Sequence, residues 1–249
     1  MRAFSIANSC STSRRLLYGA SVTTEPTSYF AGGYFLTRPA ERTRTGEVVL
    51  DQLITVCNCL TYFAFEHWWD VESAEKATDL GVEASRIPEV AAWYSERFGS
   101  DFGFPNVAYS TDVIREFCDE FNVDRSGLVI LGCGFDDTHR QILLDEFRAP
   151  ANTGENGIIE LLDRRRSLDE QGHVLGFEIM SFDLGLDHSW VCYDFVGEAE
   201  TQLGIQVDPG TGLLRTLDDA QSVANHINSL PPDKGAYGYW LPIQITRYK

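Results

Sequence analysis

A continuous apolar run in the middle of the chain constrains the fold more than any other feature. Residues 127–135 read GLVILGCGF, a stretch of strand length without a charged side chain. Such a run predicts a β-strand with both faces covered, because an exposed face would carry alternating polar residues. Asp136 and Asp137 follow at once and predict the capped start of a helix. We therefore expect an α/β or α+β fold, with a mixed β-sheet and flanking helices.

The glycines at the end of this run do not predict a phosphate-binding loop. Gly132-Cys133-Gly134 lacks both the G-x-G-x-x-G spacing and the Gly-Lys-Ser/Thr continuation of phosphate cradles. The two aspartates that come next would repel a phosphate group. The sequence thus predicts no nucleotide site here, and we expect no cofactor.

Hydrophobic spacing and turn residues predict the remaining elements. Helices are predicted at 73–80, 88–98, 110–121, 136–147, 158–162 and 216–227. Strands are predicted at 16–22, 29–36, 47–54, 174–183, 188–196 and 237–248. The last strand contains Pro242, which indicates an edge position or a bulge. We expect one globular domain over residues 1–249, with a weak division in the loop at 149–157.

The chain is strongly acidic, and its charge is unevenly distributed. It contains 37 acidic and 20 basic residues, for a formal net charge of −17 at pH 7. Residues 1–45 hold six arginines against two glutamates, a balance of +4, so the remainder carries −21 of the total. This charge disfavours binding to nucleic acid or to an anionic membrane surface, and it favours a basic protein partner. Solubility is the alternative reason for an acidic excess.

The cysteines and the start of the chain predict a cytoplasmic protein. Six cysteines are scattered along the sequence, unlike the dense disulfide framework of a small secreted domain, so we expect reduced thiols. Residues 1–15 contain no apolar core of a signal peptide, and no segment is long enough to span a bilayer. Cys57-Asn58-Cys59 is too short for the usual zinc spacing and has no second pair, so we expect buried thiols there and no metal site.

A predicted β-hairpin is the most site-like part of the sequence. Two segments of strand composition, 174–183 and 188–196, are joined by a short turn. A tight turn places Asp183 opposite His188. If the protein is an enzyme, we expect His188, Asp183 and Glu178 to act in one pocket, as metal ligands or as acid–base groups. A structural ion pair between the aspartate and the histidine is the alternative.

The hairpin also carries a thiol, Cys192. Strand alternation places His188, Trp190 and Cys192 on one face. A thiol hydrolase pairs a cysteine with a histidine, but residues four apart on a strand are separated by about 13 Å. The two side chains therefore form a dyad only if the strand bends.

A binding protein would use a different set of residues. Trp190 and Asp187 offer an aromatic anchor and a charge at the hairpin. The predicted helix at 110–121 adds three acidic residues opposite its apolar side, Glu116, Asp119 and Glu120. We expect these residues to contact a protein partner, with water as the alternative neighbour of the acidic side.

The hairpin resembles a pattern found in uncharacterised bacterial proteins: Gly-x-Glu-Ile, a short polar turn, His-Ser-Trp-x-Cys and a Phe-Gly-Ile-like step. Here the pattern falls on Gly176, Glu178, Ile179, His188, Ser189, Trp190, Cys192 and 203–205, within residues 172–214. In size, acidity and mixed α and β character the chain also resembles immunity proteins of bacterial polymorphic-toxin systems. The resemblance implies a protein partner, and it carries over no catalytic residue.

Three functions remain open at this point. The first is a cytoplasmic acidic binding protein, such as an immunity or inhibitor protein that neutralises a basic toxin or enzyme. The second is a metal-dependent or Cys/His-dependent hydrolase with its site at the hairpin. The third is a structural subunit of an assembly, which would expose extensive apolar surface.

Overall fold

The computed structural model describes residues 28–45, 48–57, 62–63, 75–98, 107–147, 157–182, 186–193, 195–231, 234 and 238–249. The predicted strand at 16–22 lies outside these residues, as does nearly all of the predicted loop at 149–157. In the described part of the chain, no helix is long and apolar enough to cross a membrane.

Among the described elements, four strands come first, and helices and strands are interspersed after them. The strands are β1 (Tyr29–Arg38), β2 (Ala40–Thr45), β3 (Val48–Leu53), β4 (Tyr62–Phe63), β5 (Val129–Asp136), β6 (His173–Phe182), β7 (Leu186–Ser189) and β8 (Tyr239–Tyr248). The α-helices are α1 (Ile87–Phe98), α2 (Thr111–Glu120), α3 (Asp137–Phe147), α4 (Ile158–Asp163), α5 (Phe195–Glu198) and α6 (Leu217–Ser229). Short 3₁₀ helices occupy Glu75–Leu80, Ala84–Arg86 and Trp190–Tyr193, and a π-helix occupies Ala199–Leu203.

Six strands form one sheet in the order β4-β1-β5-β8-β6-β7, and every adjacent pair is antiparallel. β2 and β3 form a separate antiparallel ribbon. The expected combination of a β-sheet with flanking helices is confirmed, and the antiparallel pairing makes the fold α+β. The sheet contains strands from both sides of the predicted loop at 149–157.

β5 is buried along its whole length, as its apolar run predicted. Alternate residues of β5, β6 and β8 point to opposite faces of the sheet. One face packs against α3 and α4 around residues such as Leu131, Met180 and Ile243. The other face is covered by α1 and α2 at one end and by α6 with the segment after β7 at the other end. The sheet is therefore the middle layer of three.

The glycines of β5 allow this close packing. A Cβ atom on Gly134 would lie 2.7 Å from a Leu168 methyl carbon, and one on Gly132 would lie 2.9 Å from the Tyr248 ring. Both distances are shorter than van der Waals contact. The glycines thus make room for neighbouring side chains, in agreement with the absence of a phosphate-loop spacing.

The predicted helix starts are confirmed by their capping hydrogen bonds. The Ser110 hydroxyl accepts a bond from the Val113 amide at 3.4 Å, and the Thr216 hydroxyl accepts one from the Asp219 amide at 3.1 Å. Asp136 accepts a bond from the His139 amide at 2.8 Å and so caps α3. The predicted helix at 73–80 differs, because the described residues from Glu75 form a 3₁₀ helix.

Pro242 lies in β8, an inner strand of the sheet. Among the described residues, β8 pairs with strands on both sides only over residues 244–247. β5 pairs with residues 244–248 of β8, whereas β6 pairs with residues 239–247. On the side away from β6, the Asn228 side chain donates to the Trp240 carbonyl at 2.7 Å and accepts from its amide at 2.9 Å. Pro242, two residues further on, directs its nitrogen to the same side, so its missing N–H removes no bond to β6.

The prediction of a strand at 188–196 is wrong. β7 ends at Ser189, and the chain continues as the 3₁₀ helix Trp190–Tyr193 and then as α5. The aromatic and branched residues of this segment have strand composition, but they pack against α6 and the sheet in helical conformation. Burial against neighbouring elements outweighs local β-propensity here.

Candidate functional site

Three segments of the chain meet at the β6–β7 edge of the sheet. β6 contributes Glu178, the segment that follows β3 contributes Cys57, and the segment from His188 to Cys192 comes from the end of β7. Glu178 and Cys57 are buried, whereas His188 and Cys192 are half-buried. The site therefore has a buried side and a side that reaches solvent.

A turn after β7 brings the thiol of Cys192 back toward His188. The Ser189 hydroxyl accepts a hydrogen bond from the Val191 amide at 3.3 Å, and the 3₁₀ helix begins there. The Sγ atoms of Cys57 and Cys192 are 3.3 Å apart. One ligand atom from each of Cys57, His188 and Cys192 lies within 4.8 Å of the other two. The chain therefore bends between His188 and Cys192, as a Cys–His pair requires. We call Cys57, His188 and Cys192 the Cys–His–Cys cluster.

The Glu178 carboxylate holds the backbone on which this cluster is built. It accepts hydrogen bonds from the Thr55 hydroxyl and from the Val56 amide, the second at 3.1 Å. The Thr55 hydroxyl in turn accepts a bond from the Cys57 amide at 2.9 Å. The Ser189 hydroxyl also bonds to Glu178. One side chain on β6 thus ties the segment before Cys57 to the residue that follows His188.

Glu178 titrates near neutral pH. Burial raises the pKa of its carboxyl group to about 7, against the opposing effect of the hydrogen bonds from Thr55, Val56 and Ser189. A carboxyl group with a pKa this far from its ordinary value is typical of functional sites, and it also occurs in structural networks.

The register of the hairpin differs from the predicted one. Met180 pairs with Ser189 and Phe182 pairs with Leu186, with an irregularity between the two pairs. The Ser181 hydroxyl accepts a bond from the His188 amide at 3.0 Å. Ser181 is therefore a neighbour of His188 in the hairpin. Asp183 lies outside the described residues, and so does the side chain of Asp187.

Trp190 does not serve as a surface anchor. Its side chain is fully buried in the core formed with α6, because the 3₁₀ helix turns it away from the face that carries His188 and Cys192. The predictions that Trp190 contacts a partner and shares a face with those two residues are wrong. Tyr193, at the end of the same turn, is 42% exposed. Its ring lies 5.3 Å from the His188 ring, centroid to centroid.

The acidic residues of α2 are exposed, as predicted, and each is paired within the chain. Arg97 reaches Glu116 at 3.4 Å, and Arg125 contacts Asp119. Arg86 lies 3.8 Å from the Glu120 carboxylate. These pairs neutralise much of the charge of this surface, so α2 does not present three uncompensated carboxylates.

The sequence did not connect Cys57 and Thr55 with the hairpin. The two cysteines of the cluster are 135 positions apart, and no local spacing links positions so distant. The Cys57-Asn58-Cys59 motif is the one feature of the sequence that points to Cys57, and its short spacing predicts buried thiols and no metal site. Cys57 is indeed buried, and Cys59 lies outside the described residues.

A buried acid–imidazole pair at the start of α3 has a structural role. The Asp136 carboxylate lies 2.8 Å from His139 Nδ1 while its other oxygen caps α3. Burial opposes ionisation of Asp136, but the hydrogen bonds from His139 outweigh it, and the pKa of Asp136 is lowered. The pair joins β5 to the first turn of α3.

The Cys–His–Cys cluster supports two kinds of chemistry. Two thiolates and an imidazole form a donor set that binds thiophilic metal ions. Alternatively, the imidazole can take the proton of Cys192 and leave a thiolate nucleophile. Glu178 belongs to the support of the cluster, because its described contacts go to Thr55, Val56 and Ser189.

Comparison of the chain with protein-family models, with curated proteins and with solved structures finds no match.

Proposed function

We propose that the chain is an acidic binding protein that captures a basic protein partner, as an immunity or inhibitor protein captures a basic toxin or enzyme. The observation that carries this proposal is the net charge of −17, most of which lies at the surface. Among the residues that the structure describes, the buried acids are Asp136 and Glu178 alone. A negative surface of this size accelerates encounter with a positive partner over a long range.

The basic residues of the chain cancel only part of the charge of the acids, which outnumber them by 37 to 20. Most described arginines lie in ion pairs with acids of the same chain, namely Arg86, Arg97, Arg115, Arg125, Arg140, Arg165 and Arg215. In these pairs each arginine neutralises acids of its own chain, and Arg140 and Arg165 share Asp137. The acids in excess therefore set the sign of the field that a partner meets.

An exposed aromatic side chain supports a contact site next to the hairpin. Tyr193 is 42% exposed, and its ring stacks on Phe195 and meets the edge of Trp240. A tyrosine held by its neighbours loses little conformational entropy on binding, which is why such residues anchor protein interfaces. We propose Tyr193 as the anchor in place of Trp190.

The experiment is capture of the partner at two salt concentrations, followed by affinity measurement on the purified pair. The immobilised chain should retain a basic protein from a lysate of the source organism at about 0.05 M NaCl and lose most of it at about 0.5 M NaCl. With the purified partner, Tyr193→Ala should weaken binding at least about tenfold, as loss of an anchor does.

Val174→Ala is the matched control, because Val174 is an apolar residue of similar exposure, 48%, at the start of β6. This variant should leave the affinity unchanged. Recovery of no basic protein at low salt, or an association rate that does not respond to salt, would contradict the proposal.

A hydrolase is a second candidate, favoured by the approach of Cys192 to His188 within the cluster. In this reaction, the imidazole takes the thiol proton, and the thiolate attacks the acyl carbon and displaces the leaving group, which receives that proton. Water then hydrolyses the thioester, which releases the acid and restores the thiol. Hydrolysis of p-nitrophenyl esters should then be lost in Cys192→Ser and retained in Tyr193→Ala. Equal rates for the wild type and Cys192→Ser would rule this candidate out for ester substrates.

A structural subunit is less well supported, since the large apolar side chains that the structure describes as exposed are Val49, Val174, Tyr193, Leu203 and Tyr239. We also propose a cytoplasmic location. It is supported by the free thiols of the four cysteines that the structure describes.

A further inference from the structure

We propose that Cys57, His188 and Cys192 bind one thiophilic metal ion of the zinc class. Both sulfurs and a ring nitrogen lie within 4.8 Å of one another, and they come from two segments that the fold brings together. Thiolate and imidazole are the ligands that zinc prefers in proteins. This site is independent of partner capture, so its failure would leave that function standing. It shares His188 and Cys192 with the candidate hydrolase, so an ion bound there would occupy the thiolate and the imidazole of that reaction.

The distances are close to those of a metal site. In a tetrahedral zinc site with Zn–S bonds of about 2.3 Å, two sulfur ligands lie about 3.8 Å apart. Cys57 Sγ and Cys192 Sγ are 3.3 Å apart, whereas a disulfide needs about 2.0 Å. The sulfur separation is thus nearer to that of two ligands of one ion. The ring of His188, which is half-buried, has to approach by no more than about 1 Å, because its nitrogen lies within 4.8 Å of both sulfurs.

Hydrogen bonds of the surrounding backbone fix the three ligand positions. The Cys57 amide is bonded to Thr55, which Glu178 holds in turn. The His188 amide is bonded to the Ser181 hydroxyl at 3.0 Å. Cys192 lies in the 3₁₀ helix that Ser189 begins. A site whose ligands are placed before the ion arrives requires little ordering of the chain on binding.

The described residues supply three protein ligands, which leaves one coordination position of a tetrahedral ion for water or for a further ligand. Cys57 closes the buried side of the site, and the half-buried His188 and Cys192 form its solvent side. Zinc sites with this composition are of the catalytic kind, in contrast to closed structural sites with four protein ligands. Binding replaces the protons of the two thiols by the ion, so up to two protons leave per metal bound.

The test is titration of the full chain, reduced and freed of metal by a chelator, with Co²⁺ and then Zn²⁺ under anaerobic conditions. Cobalt should give thiolate charge-transfer absorption that saturates at one equivalent, and zinc should displace it. Calorimetry at about pH 7 in two buffers should show proton release on zinc binding. Cys192→Ser and His188→Ala should each weaken zinc binding at least about 100-fold.

Two matched variants test whether removing a thiol or an imidazole outside the cluster also weakens zinc binding. Cys118→Ala removes a buried thiol on α2, and His173→Ala removes an exposed imidazole at the start of β6. Both should bind zinc like the wild type, and circular dichroism should show that all four variants are folded.

A further readout on the wild type does not depend on any variant. Zinc should slow alkylation of Cys192, the half-buried thiol of the pair. Zinc affinity that is the same in Cys192→Ser and in the wild type would overturn the proposal. So would alkylation that proceeds at one rate with and without zinc, or a Cys57–Cys192 disulfide that persists in excess reductant.

Discussion

Glu178 ties together the two parts of the chain that carry the Cys–His–Cys cluster, and its ionisation acts on stability. The neutral carboxyl group is favoured in the folded protein, because burial raises its pKa from 4.5 to about 7. Its contribution to stability is therefore fully present below about pH 4.5 and is lost as the pH rises through about 7.

Glu178→Gln should remove this pH dependence. The free energy of unfolding of the wild type, measured relative to Glu178→Gln, should fall by about 2–3 kcal/mol between about pH 5 and about pH 8. Urea unfolding of both proteins across this range measures the difference. Glu96→Gln, which removes one exposed carboxylate on α1, is the control for the change in net charge. A difference that stays constant with pH would contradict the prediction.

Residues of the site were predictable from the sequence only where they belong to one local pattern, the hairpin. Glu178, His188 and Cys192 follow from the hairpin pattern, and all three lie at the site. Trp190 was misplaced because one residue after the end of β7 the backbone is helical, which turns its side chain into the core. Cys57 was not connected with them because pairing of distant segments depends on the whole sheet.

Helix α6 illustrates an element whose boundaries follow from a few residues. The Thr216 hydroxyl accepts a bond from the Asp219 amide and donates one to the Asp219 carboxylate at 2.7 Å. Thr216→Ala should lower the free energy of unfolding by about 1 kcal/mol, because a first-turn amide loses its acceptor. Chemical denaturation measures the loss.

Ser222→Ala is the control on the same helix, where the hydroxyl bonds only to the Asp218 carbonyl at the preceding turn. Such a bond contributes little to the stability of the helix, so we expect a change in the free energy of unfolding near zero. Equal losses in the two variants would show that the cap makes no special contribution.

Elements were predictable where local signals agree with their packing. The helices at α2 and α6 combine a capping residue with regular apolar spacing, and both were correct. The segment at 188–196 carries branched and aromatic residues that suit a strand and a buried helical turn equally well. The contacts of that segment with α6 decide between the two, and they are invisible in the local sequence.

The acidic surface should make the stability of the whole molecule depend on salt. At pH 7 the net charge is −17, and repulsion between the acids in excess opposes the compact state. Raising NaCl from about 0.02 M to about 0.3 M should screen this repulsion and increase Tm by about 2–4 °C, the equivalent of about 1 kcal/mol. Differential scanning calorimetry measures the shift.

KCl should have the same effect if screening is the cause, and the effect should shrink as the pH approaches the isoelectric point of about 4.6. A Tm that falls with salt would show that the ion pairs of α2 and its neighbours outweigh the repulsion. The combination of a β-sheet with flanking helices was predictable from patterning, whereas the choice between α/β and α+β was not. The order of the strands was not, because it depends on contacts between distant parts of the chain.

The position of β8 has a consequence for how the protein is made in the cell. β8 is the last strand of the sheet to leave the ribosome, yet it lies between β5 and β6. Until it emerges, the growing chain holds two incomplete half-sheets, each with an unpaired edge. Such edges can pair with other strands, and we expect the sheet to close only after β8 has been synthesised.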